Sequence, residues 1–177
     1  MDAATDARLA RHIRDVPDFP RAGILFKDIT PLLADADAFA LSINELARPW
    51  SADKPDMVCG IEARGFIFGG ALARQLGVGF VPLRKPGKLP AATVGVDFEL
   101  EYATARLEIH ADALPAGARV LVVDDVLATG GTLAAARQLL ERLGAIVAGA
   151  AVVVELDALG GRARWPAGPP LAALLHY

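Results

Sequence analysis

Cysteine is almost missing: Cys59 is the only one in 177 residues, which excludes an internal disulfide and a thiolate metal cluster within one chain. A lone thiol suits a reducing cytoplasm. Histidine is nearly as scarce. His12, His110 and His176 are scattered without metal-ligand spacing and read as surface or capping residues, so no protein-built metal site is expected. There is no excess of positive charge either. A formal net charge of -3 and a pI near 5.6 argue against a general polyanion-binding surface, hence against a nucleic-acid partner, and any anion must be held locally. No apolar run approaches about 18 residues without a charge or a Gly or Pro break, and residues Met1 to Arg8 show no basic stretch leading into an apolar core. The expectation is a soluble, untargeted, cytoplasmic protein with no membrane partner. Neither a Walker A ending nor a Gly-x-Gly-x-x-Gly fingerprint occurs, and no repeat, linker or low-complexity tract stands out.

What is present fits one globular α/β domain spanning residues 1–177, since 54% hydrophobic and 22% charged residues can build a substantial core. Apolar spacing predicts a short helix from Thr5 to Arg14, stopped by Pro17 and Pro20, then a loop over Gly23 to Thr30 and a helix from Asp37 to Trp50. Short apolar runs at Met57–Ile61, Phe80–Leu83 and Arg119–Asp125 predict buried strands. Helices are expected at Gly65–Leu76 and Leu133–Leu143. Ile146–Glu155 reads as a strand covered on both faces, and Leu171–His176 as an edge strand. This alternation predicts a central, mostly parallel sheet flanked by helices. Between Lys88 and Glu101, weak periodicity with Pro and Gly breaks predicts a mobile loop, a lid in preference to a plain surface connection.

The most informative stretch runs from Arg119 to Thr132. A buried strand ends in paired acids, Asp124 and Asp125, and enters a small hydroxyl-rich turn, Ala128-Thr129-Gly130-Gly131-Thr132. Adjacent carboxylates at a strand's carboxyl edge accept hydrogen bonds from neighbouring hydroxyls, and a turn that opens a helix offers backbone N–H groups to phosphate. The implied ligand carries a diol and a phosphate. An ordinary strand-to-helix turn needs Gly or Asp but not this whole set.

Gly60-Ile-Glu-Ala-Arg-Gly-Phe66 repeats the strand-to-helix design and presents Arg64 either to a phosphate or, in the blander reading, to Glu62 on the surface. Both turns converge at one sheet edge, where ligands of open α/β sheets bind. Arg84, Lys85 and Lys88 form a basic loop in an acidic chain. Such a run is commonly just solvated, but Pro86, Gly87 and Pro90 restrict its shape as an anion site requires. Leu100 to His110 alternates as a strand. Read from the residues alone, Glu101 on it is a solvated carboxylate.

Val-Val-Asp-Asp-Val-Leu-Ala-Thr-Gly-Gly-Thr132 closely resembles the phosphoribosyl pyrophosphate (PRPP) signature of the type I phosphoribosyltransferases. Gly23 to Leu33, Gly60 to Gly69, Arg84 to Pro90, Leu100-Glu-Tyr102 and Val154-Glu-Leu156 resemble, in order, the adenine-specific branch of that family. The resemblance implies the type I phosphoribosyltransferase fold with a small hood, over about residues 17–33 and 155–177, and a flexible flap over about residues 88–104. It implies purine salvage: adenine and PRPP give AMP and pyrophosphate, with Mg²⁺ carried by PRPP, in a homodimer.

Carried onto matching positions, the resemblance makes Asp124 and Asp125 the holders of the ribose hydroxyls and Ala128, Thr129, Gly130, Gly131 and Thr132 the 5′-phosphate cradle. Arg64, Arg84, Lys85 and Lys88 manage pyrophosphate, with reach across a dimer interface open to some of them, and Arg64 and Glu101 serve catalysis. Leu25, Phe26, Lys27 and Leu156 contact the base, with Glu101 and Tyr102 on the flap. Departures from the family pattern are Ala22 for Pro, Lys27 for Arg, Phe98 for Tyr and Ala103 for Gly. A transferase for xanthine or guanine would share every phosphate contact. A PRPP-sensing regulator without turnover would also share the turn, but the acidic balance and the absence of a helix-turn-helix segment speak against it.

Overall fold

The computed structural model describes residues 2–100 and 103–177. Five parallel strands form its centre: β3 (Met57–Ile61), β4 (Gly79–Leu83), β7 (Arg119–Leu127), β8 (Ile146–Glu155) and β9 (Leu171–His176), in the order β4-β3-β7-β8-β9. The expected parallel sheet is therefore found, with strand β7 running two residues beyond the expected end. Successive side chains of a strand face opposite sides of a sheet. Val120 and Val122 accordingly enter one core with Leu133, Leu139 and Leu140 of α5 (Gly131–Arg142), while Leu121 and Val123 enter the other with Phe68 and Leu72 of α4 (Gly65–Leu76). Burial on both faces explains why β7 and β8 read as continuous apolar runs.

The chain leaves β3 toward one sheet edge and β7 toward the other, so the strand order reverses between them. A crevice opens at such a point, outside the carboxyl ends of the strands. The start of α4 is drawn close to it because Gly65 has no side chain: a Cβ there would lie 2.7 Å from the Val123 carbonyl oxygen.

Around the sheet lie α1 (Ala3–Ala10), α2 (Thr30–Ala34) and α3 (Ala36–Ala47) with a 3-10 turn at Arg48–Trp50. Asp2 and Asp35 cap α1 and α3 by accepting from Thr5 N–H and Ala38 N–H at 2.8 Å each. Three expectations need correction. The first helix ends at Ala10, not Arg14, because Arg14–Pro17 is strand β1, paired antiparallel with β2 (Leu25–Asp28) inside the expected loop. The segment read as a loop after Lys88 contains strand β5 (Thr93–Leu100), paired with β6 (Ala103–His110) in a second antiparallel ribbon. Both pairings depend on a partner strand that local composition does not reveal. α2, which starts at Thr30 with Pro31 in its first turn, was also not expected.

Candidate active site

The crevice between β3 and β7 is a cavity of about 590 Å³. Asp124, Asp125, Ala128, Thr129 and Thr132 line it from the β7 side, Arg64 from the β3 side, and Leu25, Phe26, Lys27 and Leu156 from above. Most of the expected site residues thus meet in one place. Asp124 and Asp125 are buried at the end of β7, and Asp125 N–H donates to Asp124 Oδ1 at 2.9 Å. Burial, and then the neighbouring Asp125 charge, push the Asp124 carboxyl well above the usual carboxylate range.

Arg64 Nε lies 2.7 Å from Asp125 Oδ2. That contact is an ion pair without hydrogen-bond alignment, so the buried Oδ2 has no hydrogen-bond donor among the described residues. An acceptor in that condition is costly unless a ligand supplies the donor. The Arg64 guanidinium also lies 5.6 Å from the Phe26 ring centre, so it neighbours both the acid pair and strand β2.

Gly130 of the turn after β7 lines a smaller cavity of about 120 Å³ together with Asp124, Ala128, Thr129 and Thr132. Gly130 has a φ of +81°, which an L side chain rarely adopts, and α5 begins at the next residue. N–H groups at that helix start have no intrahelical partner and carry the positive end of the helix dipole. Thr129 and Thr132 add hydroxyls to the same wall.

The blander reading of Arg64 named the wrong partner. Glu62 pairs instead with Arg84, at 3.1 Å, and accepts from the Lys85 N–H at 3.0 Å. That N–H and the Arg84 guanidinium hold the Glu62 carboxyl below its ordinary range. Arg84 also donates to the Lys88 carbonyl at 3.0 Å, so this arginine shapes the basic loop and leaves Lys85 and Lys88 exposed. Lys85 lines a neighbouring cavity of about 390 Å³, walled by Glu62, Thr132 and the β5–β6 ribbon. Glu101 and Tyr102 lie outside the described residues.

Residues 26–167 match the family described as Phosphoribosyl transferase domain. An adenine phosphoribosyltransferase of Xanthomonas euvesicatoria pv. vesicatoria is 59% identical over 168 residues, 95% of this chain and 90% of that protein. The chain belongs to the adenine phosphoribosyltransferase family. A family member from Synechococcus sp. is 57% identical over 96% of this chain and 98% of its own. Among solved structures, adenine phosphoribosyltransferase of Rhodothermus marinus has a TM-score of 0.94 at 48% identity, covering 99% of this chain and 100% of that one. The Saccharomyces cerevisiae enzyme, in complex with an imino-altritol bisphosphate and adenine, has a TM-score of 0.91 at 40% identity, covering 98% and 100%.

The Ala128–Thr132 turn has supports that its own sequence does not reveal. The 3-10 turn Gly161–Arg164 packs directly behind the Ala128–Thr132 turn. A Cβ at Gly161 would lie 2.1 Å from the Ala128 carbonyl oxygen, and one at Gly130 would lie 2.3 Å from the Gly161 carbonyl oxygen. Arg162 holds that turn in place through Glu155, whose carboxylate accepts from Nε at 2.9 Å and from Nη2 in a very short contact. A Gly-Gly-Arg triplet beyond the signature was the available signal.

His176, to which no chemistry was assigned, lies 3.0 Å from Asp157 Oδ1 and 3.8 Å from Glu155 Oε2. Glu155, Asp157 and His176 are close enough to share a metal ion, but the guanidinium of Arg162 already occupies the buried Glu155. An ion-pair network is the fitting description.

Proposed function

We propose that the protein transfers a phosphoribosyl group from PRPP to adenine, giving AMP and pyrophosphate for purine salvage. The buried Asp125 Oδ2, without a hydrogen-bond donor among the described residues, carries this reading, because Asp125 lines the same cavity as Ala128, Thr129 and Thr132 of the turn that opens α5. A vicinal diol supplies the missing donors, and a phosphate five atoms away suits the turn. Relatives described as adenine phosphoribosyltransferase, 59% and 57% identical over nearly the whole chain, and the 40% identical Saccharomyces cerevisiae structure with adenine support the choice of base.

In the reaction, the anomeric C–O bond to pyrophosphate breaks as a purine nitrogen forms the new C–N bond with inversion. Positive charge develops on the ribose meanwhile. Asp124 and Asp125 hold the ribose hydroxyls and stabilise that charge, while Ala128, Thr129, Gly130, Gly131 and Thr132 bind the 5′-phosphate. Arg64, Lys85 and Lys88 receive pyrophosphate, with Arg84 setting the loop's shape through Glu62 and the Lys88 carbonyl. Glu101 takes or steadies the proton that the purine loses, and Tyr102 closes over the site beside it.

The backbone of Leu25 and Lys27 reads the polar edge of adenine between the apolar faces of Phe26 and Leu156. Adenine N6 donates where hypoxanthine O6 accepts, so the wrong base leaves a fixed acceptor unpaired. Residues 17–33 and 155–177 act as a hood, and residues 88–104 as a flap. Mg²⁺ enters as the counter-ion of PRPP, bound mainly by its phosphates, and the unsatisfied Asp125 oxygen suits such a charged complex. We read the working form as a cytoplasmic homodimer; among the described residues no helix is long and apolar enough to cross a membrane.

Steady-state comparison of purine bases with Mg²⁺ and PRPP tests the proposal. Adenine should give a kcat/KM at least about a hundredfold above hypoxanthine, guanine or xanthine, the scale expected when a buried polar group is left unpaired. A higher value for any of those bases would overturn the base assignment.

A further inference from the structure

Strands β1 and β2 form a ribbon of only two strands, and such a pair is marginally stable by itself. Yet β2 carries Leu25, Phe26 and Lys27, the wall against which the base is read. Something outside the ribbon must fix its distance from the opposite wall, Leu156.

The side chain of Lys27 shows what does. It is buried to 9% exposure and turned toward Asp15 and Tyr177: Nζ lies 2.6 Å from Asp15 Oδ1 and 3.9 Å above the centre of the Tyr177 ring. Tyr177, just beyond β9, is anchored on both sides of Leu156. Its N–H donates to the Glu155 carbonyl at 3.0 Å, and its own carbonyl accepts from the Asp157 N–H at 2.8 Å. One residue therefore holds the backbone that flanks Leu156 and offers its ring face to the cation on the opposite wall.

We propose that Tyr177 is a positioning residue for base recognition: its ring, by seating the Lys27 ammonium, sets the width of the slot between β2 and Leu156. The inference rests on the reading of that slot as the adenine site. Tyr177 does not line the cavity walled by Arg64, the acid pair and the turn residues, so its effect should fall on the base and spare the sugar phosphate. Its departure-bearing partner Lys27 then matters through its side chain as a spacer as well as through its backbone.

Calorimetry on the full-length protein separates these contributions. In Tyr177→Leu, AMP affinity and the KM for adenine should each worsen about tenfold, while ribose 5-phosphate affinity and the KM for PRPP stay within twofold. Tyr177→Phe, which keeps the ring, should restore unsubstituted behaviour. Lys27→Met should reproduce the Tyr177→Leu split and serves as the readout if Tyr177→Leu does not fold. A folded Tyr177→Leu that binds AMP normally overturns the inference, and so does one that loses ribose 5-phosphate affinity to the same degree as AMP. If the unsubstituted protein binds AMP no better than ribose 5-phosphate, the adenine-site reading itself fails and this inference with it, a pattern visible without any variant.

Discussion

Arg64 Nε and Asp125 Oδ2 stand 2.7 Å apart across the crevice, so the cation proposed for pyrophosphate and the acid proposed for ribose are paired with each other. Asp125 is buried and Arg64 is half exposed, so the pair joins an acid shielded from solvent to a cation that solvent reaches.

Asp125→Ala should weaken Mg²⁺–PRPP binding by roughly ten- to a hundredfold, since a charge-assisted hydrogen bond contributes about 1.5–3 kcal/mol. Glu101→Ala should leave most of that affinity and lower kcat. Titration of PRPP alongside single-turnover kinetics reads both effects, and equal losses of affinity and turnover in the two variants would contradict the division of roles.

Gly161→Ala should damage a site it does not touch. The added methyl would sit 2.1 Å from the Ala128 carbonyl oxygen, so the phosphate turn must shift. Overpacking of this kind costs about 1–3 kcal/mol of stability. We expect the KM for PRPP and the affinity for ribose 5-phosphate to worsen at least about tenfold by the same order of energy. Unchanged phosphate affinity would mean that the turn has more freedom than its packing implies.

The acid pair should also make stability depend on pH. The folded-state pKa of Asp124 is raised, by burial first and by Asp125 second, so the folded form holds its proton more tightly than the unfolded chain does. Its favourable contribution is complete below the unfolded pKa, near 3.8, and is lost as pH rises from there through the folded value. Asp124→Asn, which keeps an oxygen for the Asp125 N–H, should therefore raise the melting temperature at pH 7.5 more than at pH 4.5 while weakening PRPP binding. A melting temperature lowered at neutral pH would show that the ionised acid is not a burden to the empty protein.

Cys59 is fully buried on β3, and burial pushes its thiol up to about 12. A thiol-specific disulfide reagent at pH 8 should leave the native protein unlabelled over minutes and modify one thiol at once in urea. Rapid labelling of the folded form would indicate local opening of the central sheet.

Much of this architecture is legible in the amino-acid order because its signals are local. Asp124 to Thr132 declares itself through residue types that an ordinary turn does not need, and the buried strands β7 and β8 through unbroken apolar runs. Alternation shows β6 as a strand, but β1, β2 and β5 read as a helix end and loops because strand pairing is made with distant residues, and short segments carry little propensity of their own.

Residue order alone establishes the sheet-and-helix alternation, the acid pair and the glycine turn, since backbone conformation and face-by-face burial follow from neighbours along the chain. Folding in space assigns the partners: Glu62 to Arg84, Arg64 to Asp125, Lys27 to Tyr177, and Gly161 to the back of the phosphate turn. Electrostatic and steric contacts act over a few ångströms, whatever the number of residues between the groups, and that distance exists only once the strands are side by side.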